Sequence, residues 1–431
     1  MKKYGFILII TYAVMSLFVT AGAFATEDME FSETENRALA QWPGSEIFAM
    51  AEETDSSGAA DLTAIEDYLC DQFPAREAIV NGYTNALIHS GRWYVRNVRI
   101  LREGEADDHD GYYFGPEYLF NASFPVNGPM LETLCEELDS FAAEQGIQTV
   151  YALIPQKNLA LADGSAGLLD DTADRANLQT MKDALQNCAH LAVLDVCTPL
   201  LETYGPERRA EMYYKGDFHW NDIGAFRACK ILADLLAEKR IVPAGSAPRS
   251  SDFVWKDYTG QYVYKADLSK RFGDEMDAEE FMPYYAPEDS SRMAYYLELE
   301  GAPLPRGAVV GRAFDPEAAE NTLQQAEREA LARGEITYGM LATLNLPYIR
   351  VENPDARVKK TVVVLKDSYE NPCTDYLSML FTEVNIIDPR FETPLLSEII
   401  QKRRADLLLC LYHQNNVSED LIRYLQAESE K

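Results

Sequence analysis

Histidine and tryptophan are scarce in this chain: five of one and four of the other in 431 residues. No His-Glu-x-x-His pair, EF-hand loop, Walker sequence or Gly-x-Gly-x-x-Gly turn occurs, so neither a metal nor a nucleotide cofactor is expected. The seven cysteines (Cys70, Cys135, Cys188, Cys197, Cys229, Cys373 and Cys410) are scattered and include no Cys-x-x-Cys pair. That spacing matches neither a zinc site nor a disulfide framework, and an odd count leaves at least one thiol free. Cys229 falls on the apolar face of an expected helix, where a buried thiol is the default. Cys197 and Cys410 fall at or beside strand ends, and a bond between them stays open. Positive charge is also short: 39 Lys and Arg face 70 Asp and Glu, for a formal net charge of −31. So acidic a surface repels nucleic acid and anionic lipid. There is no internal repeat and no low-complexity tract.

Apolar residues are plentiful. They make up 47% of the chain, aromatics 11%, enough for a sizeable core and too much for a disordered polymer. At the N-terminus Lys2 and Lys3 precede an uncharged run from Tyr4 to Ala25, and Glu27, Asp28 and Glu30 follow. This polarity sends the rest of the chain across a membrane. Ala23-Phe24-Ala25 has the small-x-small form of a signal-peptidase site, yet the run is long enough to span a bilayer. Residues 1–25 are therefore a cleaved signal or a membrane anchor, and either places the body outside the cytoplasm.

Residues 26–114 read as an extension, acidic and irregular at first. A helical stretch then runs from about residue 61, breaks at Phe73-Pro74 and resumes to His89. From 115 to 431 an alternating pattern appears: helix 130–145, strand 148–154, helix 174–188, strand 192–196 and an amphipathic helix 223–236. The rhythm breaks over 245–350, a stretch rich in Tyr, Pro and Gly with one charged helix near 316–333. It resumes as strand 361–365, helix 372–381, strand 384–387, helix 394–403, strand 406–412 and helix 418–427. Short apolar strands separated by helices predict a parallel sheet covered on both faces, with 245–350 as an insertion.

Open parallel sheets carry ligand groups at the carboxyl ends of their strands. Two such places hold chemistry. Lys366-Asp367-Ser368-Tyr369 follows strand 361–365, and Asn371-Pro372 suits the N-cap and first turn of the next helix. A serine there is placed as a nucleophile, or is an ordinary turn residue. Gly216-Asp217-Phe218-His219-Trp220 precedes helix 223–236. In extended chain Asp217 and His219 point to one side, so the carboxylate can fix the imidazole that takes the serine's proton. Of the other histidines, His89 and His109 lie outside the sheet and His190 is at the wrong strand end. His413, after the last strand, is the rival base.

Several blocks together resemble the DHHW protein family, which is related to alginate O-acetyltransferase-like proteins and to SGNH hydrolases. They are Phe31-Ser32-Glu33-Thr34-Glu35-Asn36-Arg37, Asp71-Gln72-Phe73-Pro74-Ala75-Arg76, Ile154-Pro155-Gln156-Lys157, Tyr214-Lys215-Gly216-Asp217-Phe218-His219-Trp220, Thr259-Gly260, and Lys366-Asp367-Ser368-Tyr369 with Ile387-Asp388-Pro389-Arg390. Phe218 replaces the first His of the family's name-giving motif, and Lys366 stands where SGNH hydrolases have Gly. The resemblance implies an α/β, SGNH hydrolase-like (flavodoxin-like) fold. It also implies a triad of Ser368, His219 and Asp217, met in the reverse of the usual SGNH order. Triads are defined by geometry rather than by order.

Tyr369, Gly260, Lys157 and Arg390 are substrate or oxyanion candidates by motif position, and the backbone N–H of Ser368 or Tyr369 is the natural oxyanion donor. The implied function is acyl transfer, acetyl above all, on a cell-surface or exported polysaccharide, with a membrane-bound O-acyltransferase as donor. A deacetylating esterase with the same triad and a non-catalytic polysaccharide-binding protein are the alternatives.

Overall fold

The computed structural model describes residues 21–22, 25, 27–32, 37–44, 63–101, 118–165, 168–276 and 279–429. The apolar run at 4–25 lies outside them, except for residues 21–22 and 25. Among the described residues no helix is long and apolar enough to cross a membrane.

The chain divides into two compact units, Met1–Arg96 with Ser269–Met276, and Asn97–Leu268 with Asp277–Lys431. In the first, helices Thr63–Asp71 and Arg76–His89 flank the Phe73-Pro74 break. Two of the sequence blocks meet here. The Arg37 guanidinium forks the Asp71 carboxylate at 2.7 and 2.5 Å. The Gln72 amide donates to the carbonyls of Met29 and Ala40 and accepts from Met29 N–H. These blocks secure the fold of this unit.

The second unit holds a seven-stranded sheet. Its strands are β1 (Gln148–Ile154), β2 (Leu191–Asp195), β3 (Ala294–Tyr296), β4 (Tyr348–Glu352), β5 (Val358–Lys366), β6 (Phe381–Ile387) and β7 (Leu407–His413). Their spatial order is β3-β4-β6-β5-β7-β1-β2. The five strands from β6 to β2 are parallel, and β4 and β3 continue the edge antiparallel. Numbered from β5, the parallel strands lie in the order 2-1-3-4-5, the flavodoxin-like arrangement. The chain, however, enters at the fourth of them, and this is why Asp217 and His219 precede Ser368.

Alternation splits the side chains between two cores. Leu407, Leu409 and Leu411 face one side with Val362 and Val364, under α3 (Asp222–Glu238) and α4 (Thr374–Leu380). Leu408, Cys410 and Tyr412 face the other with Val363 and Leu365, under α1 (Gly128–Gln145), α2 (Thr172–Gln186), α5 (Leu396–Arg403) and α6 (Glu419–Ser429). Burial on both faces explains the near-continuous apolar runs that marked these strands.

Two expectations are corrected. The 245–350 segment is not wholly outside the sheet: β3 and the start of β4 come from it, Phe253, Tyr285 and Val309 join the main core, and another part builds a small core around Tyr264, Met282, Ile336 and Tyr338. Asn371 does not cap a helix. The turn begins earlier, as a 3-10 helix Ser368–Cys373 whose cap is Asp367, and α4 follows it. All seven cysteines are free. Cys197 directs its thiol to the Leu153 carbonyl at 3.5 Å, and no bond joins it to Cys410.

Candidate active site

Ser368, His219 and Asp217 form one hydrogen-bonded line. His219 Nε2 lies 2.7 Å from Ser368 Oγ across 149 residues of chain, and Nδ1 lies 2.8 Å from Asp217 Oδ1. Asp217 is fully buried and His219 nearly so, whereas Ser368 is partly exposed. The line therefore opens to solvent at the hydroxyl.

The local sequence explains each placement. β5 delivers Ser368 at its carboxyl end, and the Asp367 side chain accepts Tyr369 N–H at 3.0 Å, which starts the turn. On the other segment Asn221 caps α3 by accepting from Ile223 and Gly224 N–H. Gly224 is required by space, since a Cβ there would lie 2.5 Å from the Met212 carbonyl oxygen. The close approach of α3 to residue 212 holds the preceding Asp-Phe-His-Trp stretch against the sheet. Tyr369 and Trp220 then lock the two segments together. Tyr369 O–H donates to the Phe218 carbonyl at 2.5 Å, and Trp220 Nε1 donates to the Tyr369 carbonyl at 2.7 Å.

Asp217 is ionised despite its surroundings. Burial alone would raise its pKa, but the charge and hydrogen bonds of His219, with the Asp267 N–H, hold it well below the usual carboxylate range. Its Oδ2 accepts from Tyr264 O–H at 2.8 Å and Asp267 N–H at 3.1 Å. Asp217, His219 and Asp267 are the one group of ligand-type side chains close enough for a metal ion among the described residues. Both Asp217 oxygens are already committed to the histidine and to these donors, so the triad accounts for the grouping.

The remaining candidates fall elsewhere. Lys157 is buried, and its ammonium donates to three carbonyls, those of Leu119 (2.7 Å), Lys215 (2.6 Å) and Asp217 (2.9 Å). It holds the backbone that bears Asp217 and does not face a substrate. Buried Glu280 works on the same loop, accepting from Lys215 and Gly216 N–H at 2.6 Å each. Burial pulls the Lys157 pKa down and pushes Glu280 up, and their mutual attraction opposes both shifts.

Tyr369 spends its hydroxyl on Phe218 and its N–H on Asp367, so of the two backbone donors only Ser368 N–H is uncommitted among the described contacts. Gly260 is in an exposed turn at φ 73°, and no hydrogen bond joins it to the triad. Arg390 lies at the same sheet edge as Ser368, half-exposed, forking Asp388. Lys366 fastens the buried Asp388 from the other side at 3.0 Å, and this is the structural role of the lysine that replaces glycine.

His413 makes no bond to Ser368. Its Nδ1 accepts Asn415 N–H at 3.3 Å, and its Nε2 lies 3.8 Å from Asp367 Oδ2. Burial, assisted by His219, pulls its pKa down against the attraction of Asp367.

Sequence reasoning missed Tyr264, Tyr338 and Glu280. All three come from the inserted segment, whose richness in tyrosine was the only signal.

Residues 127–330 match the family described as SGNH hydrolase-like domain, acetyltransferase AlgX. That span includes Asp217 and His219 and ends before Ser368. The fold is similar to Bacillus cereus PatB1 solved with a sulfonyl adduct: TM-score 0.58, 20% identity, 77% of this chain and 99% of that one. It is also similar to a DHHW family protein from Eubacterium siraeum: TM-score 0.53, 14% identity, 72% and 91% of the two chains. No curated protein matches. The chain resembles the DHHW family and the alginate O-acetyltransferase-like proteins, and its α/β domain is SGNH hydrolase-like.

Proposed function

We propose that this chain transfers an acyl group, acetyl above all, to a polysaccharide outside the cytoplasm through Ser368, His219 and Asp217. The observation that carries the reading is the His219 imidazole bonded to Ser368 Oγ on one nitrogen and to a buried carboxylate on the other. The acetyltransferase family match supports the reaction class, and the charge pattern of residues 2–30 supports export. A membrane-bound O-acyltransferase is the proposed source of the acyl group.

The chemistry follows from the bonds. Ser368 Oγ attacks the ester carbonyl of the donor while His219 Nε2 takes its proton. Asp217 holds the Nδ1–H tautomer and stabilises the imidazolium that forms. Ser368 N–H is the donor placed for the oxyanion. Collapse expels the donor's alcohol, which receives the proton from His219 and leaves acyl-Ser368. A sugar hydroxyl then gives its proton to His219 and attacks the acyl carbon, and His219 returns that proton to Ser368 Oγ as the acyl–oxygen bond breaks. Water in place of the sugar makes the same site an esterase.

The test is the pre-steady-state burst of p-nitrophenolate from p-nitrophenyl acetate, with the acetyl-enzyme read by intact mass. PatB1 has been solved with a sulfonyl adduct, and sulfonyl fluorides are electrophiles for activated serines. By analogy, phenylmethylsulfonyl fluoride should modify Ser368 and abolish the burst. Wild type and Ser368→Ala behaving alike, with no modified serine, would leave a non-catalytic binding protein.

A further inference from the structure

We propose that the groove beside the carboxyl ends of β7 and β1 is an acceptor subsite that takes one uncharged sugar ring of the glycan. This rests on the acyl-transfer reading above. The groove holds about 290 Å³ and its working residues are Ser123, Phe124, Asn127, Gln156 and Asn415. That is near the lower end of small-molecule sites, roughly 300 Å³, a size for one ring rather than a chain.

Its position ties it to the chemistry. Asn415 N–H donates to His413 Nδ1, and His413 N–H donates to Asp367 Oδ2, the residue before Ser368. Groove and nucleophile thus share one edge of the sheet. The β5–β7 boundary, where the strand order reverses and such folds usually carry their ligand crevice, is the neighbouring strand pair.

The lining is arranged for a saccharide. A pyranose presents an apolar C–H face and a rim of hydroxyls. Phe124 is 64% exposed and offers its ring as the platform. The amides are fixed in advance. Asn415 Nδ2 donates to Gln156 Oε1 and to Asp174 Oδ1, each at 2.5 Å, and Ser123 Oγ donates to the same Asp174 oxygen at 2.9 Å. Gln156 N–H is held by Gln414 Oε1 at 2.7 Å. Gln156 Nε2 donates to no protein atom among the described residues, and that leaves both its hydrogens for a hydroxyl rim. Buried networks held this way cost no reorganisation when a ligand arrives. Among the described residues no Lys, Arg, Asp or Glu lines the groove, and the chain carries a net charge of −31. An anionic sugar would find repulsion and no cationic partner, whereas an uncharged ring finds the Phe124 face and the Gln156 amide hydrogens.

The experiment is isothermal titration of pentasaccharides of N-acetylglucosamine, glucose and mannose, beside an oligouronate, into full-length Ser368→Ala, which cannot be acylated. At least one uncharged pentasaccharide should bind, and the oligouronate should bind more weakly. Phe124→Ala in the same background should weaken binding by about tenfold, as should Gln156→Ala. Phe124 is on the surface, so its loss leaves the fold intact. No uncharged ligand binding, a preference for the oligouronate, or Phe124→Ala binding as tightly would overturn the proposal. Failure of the acyl-transfer reading shows separately, as an absent acetyl-enzyme in the wild type.

Discussion

The Tyr338 ring lies parallel to the His219 imidazole, with centroids 3.9 Å apart and planes 11° from each other. Its hydroxyl donates to the Ser368 carbonyl at 3.0 Å. One buried side chain from the inserted segment therefore touches both the proposed base and the backbone of the proposed nucleophile. It fixes the imidazole plane without using either ring nitrogen. With Tyr264 on Asp217, the insertion supplies the walls within which the triad keeps its geometry.

Two histidines stand near Ser368, and only one is bonded to it. His219→Ala should lower the rate of p-nitrophenolate release by about a hundredfold or more, the loss expected for a general base. His413→Ala should cost less than about tenfold. Asp217→Asn should cost about a thousandfold or more, because the amide favours the wrong tautomer of His219. Activity that survives His219→Ala but not His413→Ala would transfer the base role to His413.

Lys157 should matter to stability before it matters to turnover. Lys157→Met leaves the buried carbonyls of Leu119, Lys215 and Asp217 without their ammonium. It also strands Glu280 without its counter-charge. Denaturant unfolding should show a loss of about 3–5 kcal/mol, since each buried acceptor left without a donor costs about 1–3 kcal/mol. A variant as stable as the wild type would return Lys157 to the list of substrate-facing residues.

Glu370 gives the fold a pH dependence. It is fully buried, one of its oxygens has no partner, and burial, only partly offset by Lys366, pushes its pKa up to about 8. Its folded pKa is therefore above its unfolded value near 4.5, so the folded state binds the extra proton between those limits. Stability from this group is full below about pH 4.5 and is lost as pH rises toward about 8. Glu370→Gln should match the wild type in unfolding free energy at pH 5 and exceed it at pH 9 by about 1–3 kcal/mol. Equal gaps at both pH values would show that Glu370 is not protonated in the fold.

The sheet was legible because its strands are buried on both faces. The expected bounds of strand 148–154 coincide with β1, and Leu407–His413 was found within a residue. β4 is also buried on both faces but was missed because charged residues interrupt its apolar pattern. Tyr348–Glu352 is antiparallel near an edge and carries Arg350 and Glu352 among its apolar residues. The Asp217–His219 pair was legible from i, i+2 spacing together with the resemblance of the block around it. The roles of Lys157 and Tyr369 were not, because they depend on which carbonyls the folded chain brings to them. A lysine after a strand looks like a surface residue until three carbonyls surround it. The left-over block Asn371-Pro372 misled because Asp367 had already opened the turn.

The central place of β7 has a consequence for how the chain comes together. Within the sheet, β1 and β2 form one half and β3, β4, β6 and β5 the other, and β7 is the only strand paired to both. The imidazole and the carboxylate follow the first half, and the hydroxyl ends a strand of the second. Yet β7 is synthesised after every member of the proposed triad. A chain cut before Leu407 would carry every member of the proposed triad and lack the keystone that unites them, so the proposed chemistry waits on the arrival of β7.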